Sequence, residues 1–77
     1  MVTGGKIDII LDEYMKKHGF SRNFLAKETG LQYSQVLKYC NNDCLEFNLK
    51  NLTRICTALD CEITDIFKLT KGEKIKL

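Results

Sequence analysis

A single glycine constrains the fold of this chain more than any other residue. In the stretch LAKETGLQYSQVLKY, from Leu25 to Tyr39, apolar residues recur at helical spacing, and Gly30 divides the stretch in two. A helix that stops at a glycine and restarts within a few residues predicts two short helices joined by a tight turn. In a chain of 77 residues, which forms one domain at most, that turn limits how the other helices can pack.

The composition is that of a globular domain and excludes several classes of protein. Hydrophobic residues make up 44% of the chain and charged residues 29%, and there is no proline to interrupt helices. No apolar run approaches the roughly 18 residues of a membrane span. The N-terminal MVTGGKIDII lacks the basic region and long apolar core of a signal peptide. We therefore expect a cytoplasmic protein without a membrane partner. Its net charge of +2 is too small to indicate a nucleic-acid partner by itself.

The pattern before Gly30 predicts two helices. The first should place one side inward, consisting of Ile7, Ile10, Leu11, Tyr14, Met15 and His18. Gly19 then ends it, because glycine readily adopts the left-handed conformation at a helix terminus. The second helix begins after the N-cap Ser21, with Phe20 packing on Leu25 as a hydrophobic staple, and stops at Gly30.

The pattern after Gly30 predicts three more helices, so the expected fold is all-α. The third helix should run from about Gln32 to Cys40 with Val36, Tyr39 and Cys40 inward, and the segment NNDC should end it. The fourth is capped by Asn48 and has an inward stripe of Leu52, Ile55, Cys56 and Leu59. A last helical turn follows Asp60, with Ile63, Ile66 and Phe67 inward. We expect one domain over residues 1–77, with a core of about 6–68 and a tail, 69–77, that is either flexible or a short strand.

The second and third helices meet the requirements of a helix-turn-helix. The two helices cross closely, which requires a small residue, and Ala26 supplies it. The turn requires positive φ, which Gly30 permits. Leu25 and Leu31 can anchor the turn to the core, and Val36 packs the third helix back on the second.

The outward side of the third helix is polar. With Val36 inward, Ser34 and Lys38 point away from the core, and Leu37 lies at the edge of that face. Gln32 and Tyr33 occupy the first turn, where recognition helices meet base edges. Such a face can hydrogen-bond in the DNA major groove. The alternative is an amphipathic helix whose polar side only faces water.

Two stretches together resemble the helix-turn-helix domains of the Cro and lambda-repressor type, also called the Xre family. These are SRNFLAKETGLQYSQVLKYC and NLKNLTRICTALDCEITDIF, and the resemblance spans about Ile7 to Phe67. It implies a five-helix, lambda-repressor-like domain that binds double-stranded DNA, as a homodimer on a palindromic operator.

The resemblance also implies which residues contact DNA. Base-edge contacts fall to Gln32, Tyr33, Ser34 and Lys38. Contacts to the DNA backbone fall to Arg22, Gln35 and Asn41. The implied function is that of a small transcriptional regulator of bacterial or phage type, a repressor. The alternative is a protein-interaction module on the same fold, such as an antitoxin or regulatory subunit, which Leu37 and the acidic residues Asp43 and Glu46 favour.

The remaining reactive residues do not indicate an enzyme or a cofactor. Cys40 and Cys44 are separated by three residues and Cys56 and Cys61 by four, and neither spacing is the CxxC of common zinc sites. The cysteines have three possible roles, which are packing as reduced thiols, redox sensing and metal binding, and packing is favoured. Cys44 is the most reactive candidate. His18 suits the last turn of the first helix. We expect no catalytic residue, metal, cofactor or small-molecule ligand.

Overall fold

The computed structural model describes residues 1–42 and 47–75. In chain order its elements are β1 (Val2–Thr3), β2 (Lys6–Ile9), α1 (Leu11–His18), α2 (Arg22–Thr29), α3 (Tyr33–Cys40), α4 (Leu49–Leu59), α5 (Ile63–Ile66), β3 (Phe67–Thr70) and β4 (Glu73–Lys74). The described residues thus contain the five predicted helices. The all-α prediction is wrong, because β2 pairs antiparallel with β3 and β1 with β4.

The start of the chain is a strand and not the first turn of a helix. Helix α1 begins at Leu11, so the prediction of Ile7 as its inward residue is wrong. Ile7 and Ile9 are β-branched and alternate with polar residues, a pattern of period two that suits a strand. Their partners are Leu69 and Phe67. Of the two alternatives for the tail, the strand is supported, since Glu73–Lys74 pairs with β1.

The core lies where the helices and the β2–β3 ribbon meet. Its buried apolar residues are Ile9, Leu11, Met15, Leu25, Val36, Tyr39, Cys40, Ile55, Leu59 and Ile66. The inward residues predicted for α3 are all among them. Ile63, predicted inward, is 55% exposed, because α5 is a single turn that can bury only Ile66 fully.

The helix ends carry most of the predicted caps. The Ser21 hydroxyl accepts a hydrogen bond from the Phe24 N–H at 3.0 Å, and the Asn48 side chain accepts from the N–H groups of Lys50 and Asn51. Phe20 stacks on Phe24, with ring centroids 5.5 Å apart. The predicted roles of Asp43, Cys44 and Glu46 lie outside the described residues.

Candidate nucleic-acid interface

The turn between α2 and α3 is held by hydrogen bonds from two consecutive residues. Gly30 has φ 75° and ψ 8°, and its N–H donates to the Ala26 carbonyl at 3.0 Å. The buried Thr29 hydroxyl donates to the Leu25 carbonyl at 2.6 Å and accepts from the Leu31 N–H at 3.3 Å. The positive φ predicted for Gly30 is confirmed. Thr29 was not among the predicted residues of the turn, although a threonine just before a helix-ending glycine is suited to such local bonds.

Helix α3 buries one side and exposes the other. Val36 is fully buried and Tyr39 is 1% exposed, so these residues fix the roll of the helix on the core. Ser34 and Lys38 are exposed and lie one turn apart on the opposite side. The predicted outward face is therefore present, with a hydroxyl and an ammonium group on it.

The first turn of α3 adds two exposed side chains to this face. Tyr33 is the first residue of α3 and is 44% exposed. Gln32 is the N-cap residue, is exposed, and makes no capping bond with its side chain. Its amide is therefore not engaged in closing the helix, and both side chains extend the polar face toward the helix N-terminus.

Arg22 ties the start of α2 to α1 and lies beside α3. Its guanidinium bonds to the Asp12 carboxylate at 3.2 Å, and the same carboxylate pairs with Lys16 at 3.0 Å. The bond to Asp12 raises the pKa of Arg22, with a smaller contribution from the Tyr33 hydroxyl. Arg22 thus carries its charge next to the first turn of α3, half-buried and partly neutralised by Asp12.

A family model described as the Cro/C1-type helix-turn-helix DNA-binding domain matches residues 11–72. That range includes all five helices and most of the chain. The chain belongs to the Cro/C1-type helix-turn-helix family. Neither the curated proteins nor the solved structures contain a significant match. Membership supports binding of double-stranded DNA and a role in transcription regulation, and the family is typically non-enzymatic.

In this Cro/C1-type domain α4 is linked to the buried side of α3 by a hydrogen bond. The Asn51 side-chain amide donates to the Tyr39 hydroxyl at 3.2 Å, which fixes one flank of α4 against α3. Arg54 lies one turn beyond Lys50 and Asn51 on that flank, and both basic side chains are exposed. Neither was predicted to contact DNA. The available signal was the absence of any acidic residue within Leu49–Leu59.

The two remaining predicted backbone contacts occupy different positions. Gln35 is half-buried and lies one turn before Tyr39, on the side of α3 that meets α4. Asn41 is exposed and caps the C-terminus of α3, where its N–H donates to the Leu37 carbonyl at 2.9 Å. Gln35 therefore shares a side of α3 with the residue that bonds to α4, whereas Asn41 lies at the opposite end of α3 from Gln32.

The described cysteines lie outside the DNA-facing side. Cys40 is buried, and burial raises the pKa of its thiol. Cys56 and Cys61 are half-buried near the C-terminus of α4. Within residues 1–42 and 47–75, no three His, Cys, Asp or Glu side chains are grouped to hold a metal ion. Across the same residues, every helix is too short or too polar to cross a membrane.

Proposed function

We propose that this Cro/C1-type domain is a sequence-specific transcriptional repressor that inserts α3 into the DNA major groove. The observation that carries the proposal is the division of α3, which buries Val36 and Tyr39 and exposes Ser34 and Lys38. A helix held this way presents a hydrogen-bonding face that the width of the major groove accommodates. By occupying a promoter, the protein blocks transcription.

Base readout falls to four side chains on this face. Lys38 reaches a guanine edge, because its ammonium can donate to the O6 and N7 acceptors there. Ser34 contacts the neighbouring base, one turn earlier on the same side. Tyr33 and Gln32 read bases from the first turn of α3, where recognition helices approach base edges most closely.

Phosphate contacts flank the readout face on two sides. Arg22 meets the backbone beside the first turn of α3, with Tyr33 as its neighbour. On the other side Gln35 and the basic flank of α4, with Lys50 and Arg54, follow the opposite strand. Asn41 meets a phosphate at the C-terminal end of α3. Basic side chains in these positions supply salt-dependent affinity without reading sequence.

Selection of bound duplexes from a random pool, followed by titration of variants, tests this proposal. Lys38→Ala should lower the affinity for the selected duplex by about tenfold to a hundredfold, the effect of losing one base contact, and change the affinity for scrambled duplex little. Arg22→Ala should lower the affinity for both duplexes alike and reduce the slope of log affinity against log salt concentration by roughly one. Lys74→Ala, which removes the same charge from β4, is the control and should leave both affinities unchanged. Wild-type affinity of Lys38→Ala and Arg22→Ala for both duplexes would refute readout by α3.

The protein binds its operator as a homodimer in this proposal. An eight-residue α3 reads one half-site only, and two copies on a palindrome provide the second. The exposed apolar residues Ile7, Leu49, Ile63 and Leu69 surround a groove of about 510 Å³ formed by β2, β3, α4 and α5. Such a grouped apolar surface is typical of an interface. In the proposed dimer a second copy of the chain covers this groove, so that the two copies meet at α5 and at the start of the tail.

The mass of the protein in solution tests the dimer separately from DNA binding. Leu69→Glu places a charge in the groove and should convert a dimer to a monomer in analytical ultracentrifugation. Thr70→Glu adds the same charge to the other face of β3, opposite Lys6, and should leave the dimer intact. A wild-type chain that sediments as a monomer at concentrations well above its DNA Kd would disprove the homodimer while leaving α3 readout to be judged by the titrations.

A further inference from the structure

The C-terminus of α4 closes with a specific pair of hydrogen bonds. The Cys61 N–H donates to the Cys56 carbonyl at 3.0 Å, and the Asp60 N–H donates to the Thr57 carbonyl at 3.3 Å. Asp60, between them, is left-handed with φ 50°. This pattern is the Schellman motif, which is frequently accompanied by contact between the side chains of the two residues joined by the longer hydrogen-bonded loop. In α4 those two positions are occupied by Cys56 and Cys61.

The same motif closes α1 with different chemistry. The Phe20 N–H donates to the Met15 carbonyl at 2.8 Å, and the Gly19 N–H to the Lys16 carbonyl at 3.4 Å. There the contacting positions hold Met15 and Phe20, two apolar side chains that help fill the core. Hydrophobic packing alone satisfies the motif in α1. In α4 the backbone places two thiols together.

The electrostatics of the two thiols agree with this contact. Burial is the main cause that raises the pKa of Cys56, and a hydrogen bond from Cys61 acts in the opposite direction. Burial, followed by the charge of Cys56, raises the pKa of Cys61 to about 12. Each thiol thus affects the pKa of the other, as expected for side chains in contact. Both thiols line a groove at the end of α4, so a small reagent can reach them.

We propose that Cys56 and Cys61 form a dithiol site that a small-molecule disulfide converts to an intrachain disulfide. The Cys56 thiolate attacks the small disulfide, which breaks the S–S bond, forms a mixed disulfide and releases one small thiol. Cys61 then loses its proton and attacks the Cys56 sulfur, which releases the second small thiol. Two protein thiols are oxidised and one small disulfide is reduced to two thiols. The bond closes across the turn that connects α4 to α5.

Tryptic mapping of the full chain tests this site. Cleavage after Arg54 and Lys68 yields peptide 55–68, which contains Cys56 and Cys61, whereas peptide 39–50 contains Cys40 and Cys44. The folded protein is equilibrated with glutathione disulfide, and the remaining thiols are alkylated under denaturing conditions. The protein is then digested with trypsin, and the peptide masses are measured by mass spectrometry. We expect peptide 55–68 to be unalkylated and lighter than its reduced form by two hydrogen atoms.

Cys61→Ser is the control variant, because it removes the thiol that resolves the mixed disulfide. In this variant we expect a stable glutathione adduct on Cys56 and no internal disulfide. Alkylation of both cysteines of the wild-type peptide would overturn the proposal, as would a persistent glutathione adduct on it or a cross-link between peptides 39–50 and 55–68. The circular dichroism spectrum of each species is compared with that of the untreated chain. Equal helicity shows that the oxidised protein is folded.

Discussion

The Asp12 carboxylate bonds to the Arg22 guanidinium at 3.2 Å and so joins the first turn of α1 to the first turn of α2. The bond orients Arg22 beside Tyr33 but also offsets its charge. An arginine in this arrangement is pre-positioned for a phosphate and at the same time restrained by an internal competitor. In the proposed complex with DNA, Asp12 would therefore moderate the affinity without contacting DNA.

Replacing Asp12 by asparagine should strengthen non-specific DNA binding. The substitution removes a negative charge and releases Arg22, and an ion pair near the protein surface is worth about 0.2–1 kcal/mol. We expect an increase in affinity for random duplex of about twofold to fivefold, measured by fluorescence anisotropy at low salt. Glu13→Gln, which removes the same charge from the exposed neighbouring position, is the control and should have the smaller effect. Weaker binding by Asp12→Asn would show that orientation of Arg22 matters more than its release.

The stability supplied by Asp12 should depend on pH. Its hydrogen bond to Lys16, and then that to Arg22, lower the pKa of the carboxyl below its usual value of 3.8. A carboxyl with a lower pKa in the folded state stabilises the protein above its unfolded pKa, and this stability is lost as the pH falls through the folded pKa. Urea unfolding should therefore show a larger difference between wild type and Asp12→Asn at about pH 6 than at about pH 2. An equal difference at both pH values would contradict the pairing.

The Gly30 turn should be sensitive to backbone strain and not to space. A Cβ built on Gly30 meets no atom within 4 Å, but its φ of 75° disfavours side chains. Gly30→Val should cost more than about 1 kcal/mol of unfolding free energy, because a β-branched residue is strained there. Gly30→Asn should cost less, since asparagine tolerates the left-handed region. Thermal unfolding of the two variants measures the difference, and equal melting temperatures would contradict backbone strain at this position.

Asn42 should couple the end of α3 to strand β2. Its side chain accepts a hydrogen bond from the Ile9 N–H at 2.8 Å and donates to the Asp8 carboxylate at 3.1 Å, while its φ is 57°. Asn42→Gly keeps the backbone conformation and loses both bonds, so it should cost about 1–3 kcal/mol. Asn42→Ala adds backbone strain and should cost more. Chemical denaturation of both variants tests this order, and a stability of Asn42→Gly equal to wild type would show that the two bonds contribute nothing.

The helix-turn-helix could be predicted from the sequence because its determinants are local. The Ser21 hydroxyl caps a helix that begins one residue later, and Gly30 ends the same helix by a hydrogen bond to Ala26, four residues away. The roll of α3 followed from the spacing of Val36, Tyr39 and Cys40, all of which are buried. These signals act within one or two turns of chain, so no knowledge of distant residues is required.

The tertiary structure alone decided the features that join distant segments. Ile7 fitted the apolar spacing of α1, but strand β2 forms because Phe67–Thr70 returns to pair with it from the other end of the chain. The ion pair between Asp12 and Arg22, and the hydrogen bond from Asn51 to Tyr39 that links α4 to α3, likewise depend on how the helices pack. A local pattern specifies the hydrogen bonds that a segment makes with itself. Pairing between segments far apart in sequence is selected by burial of the whole core, which no single stretch of sequence contains.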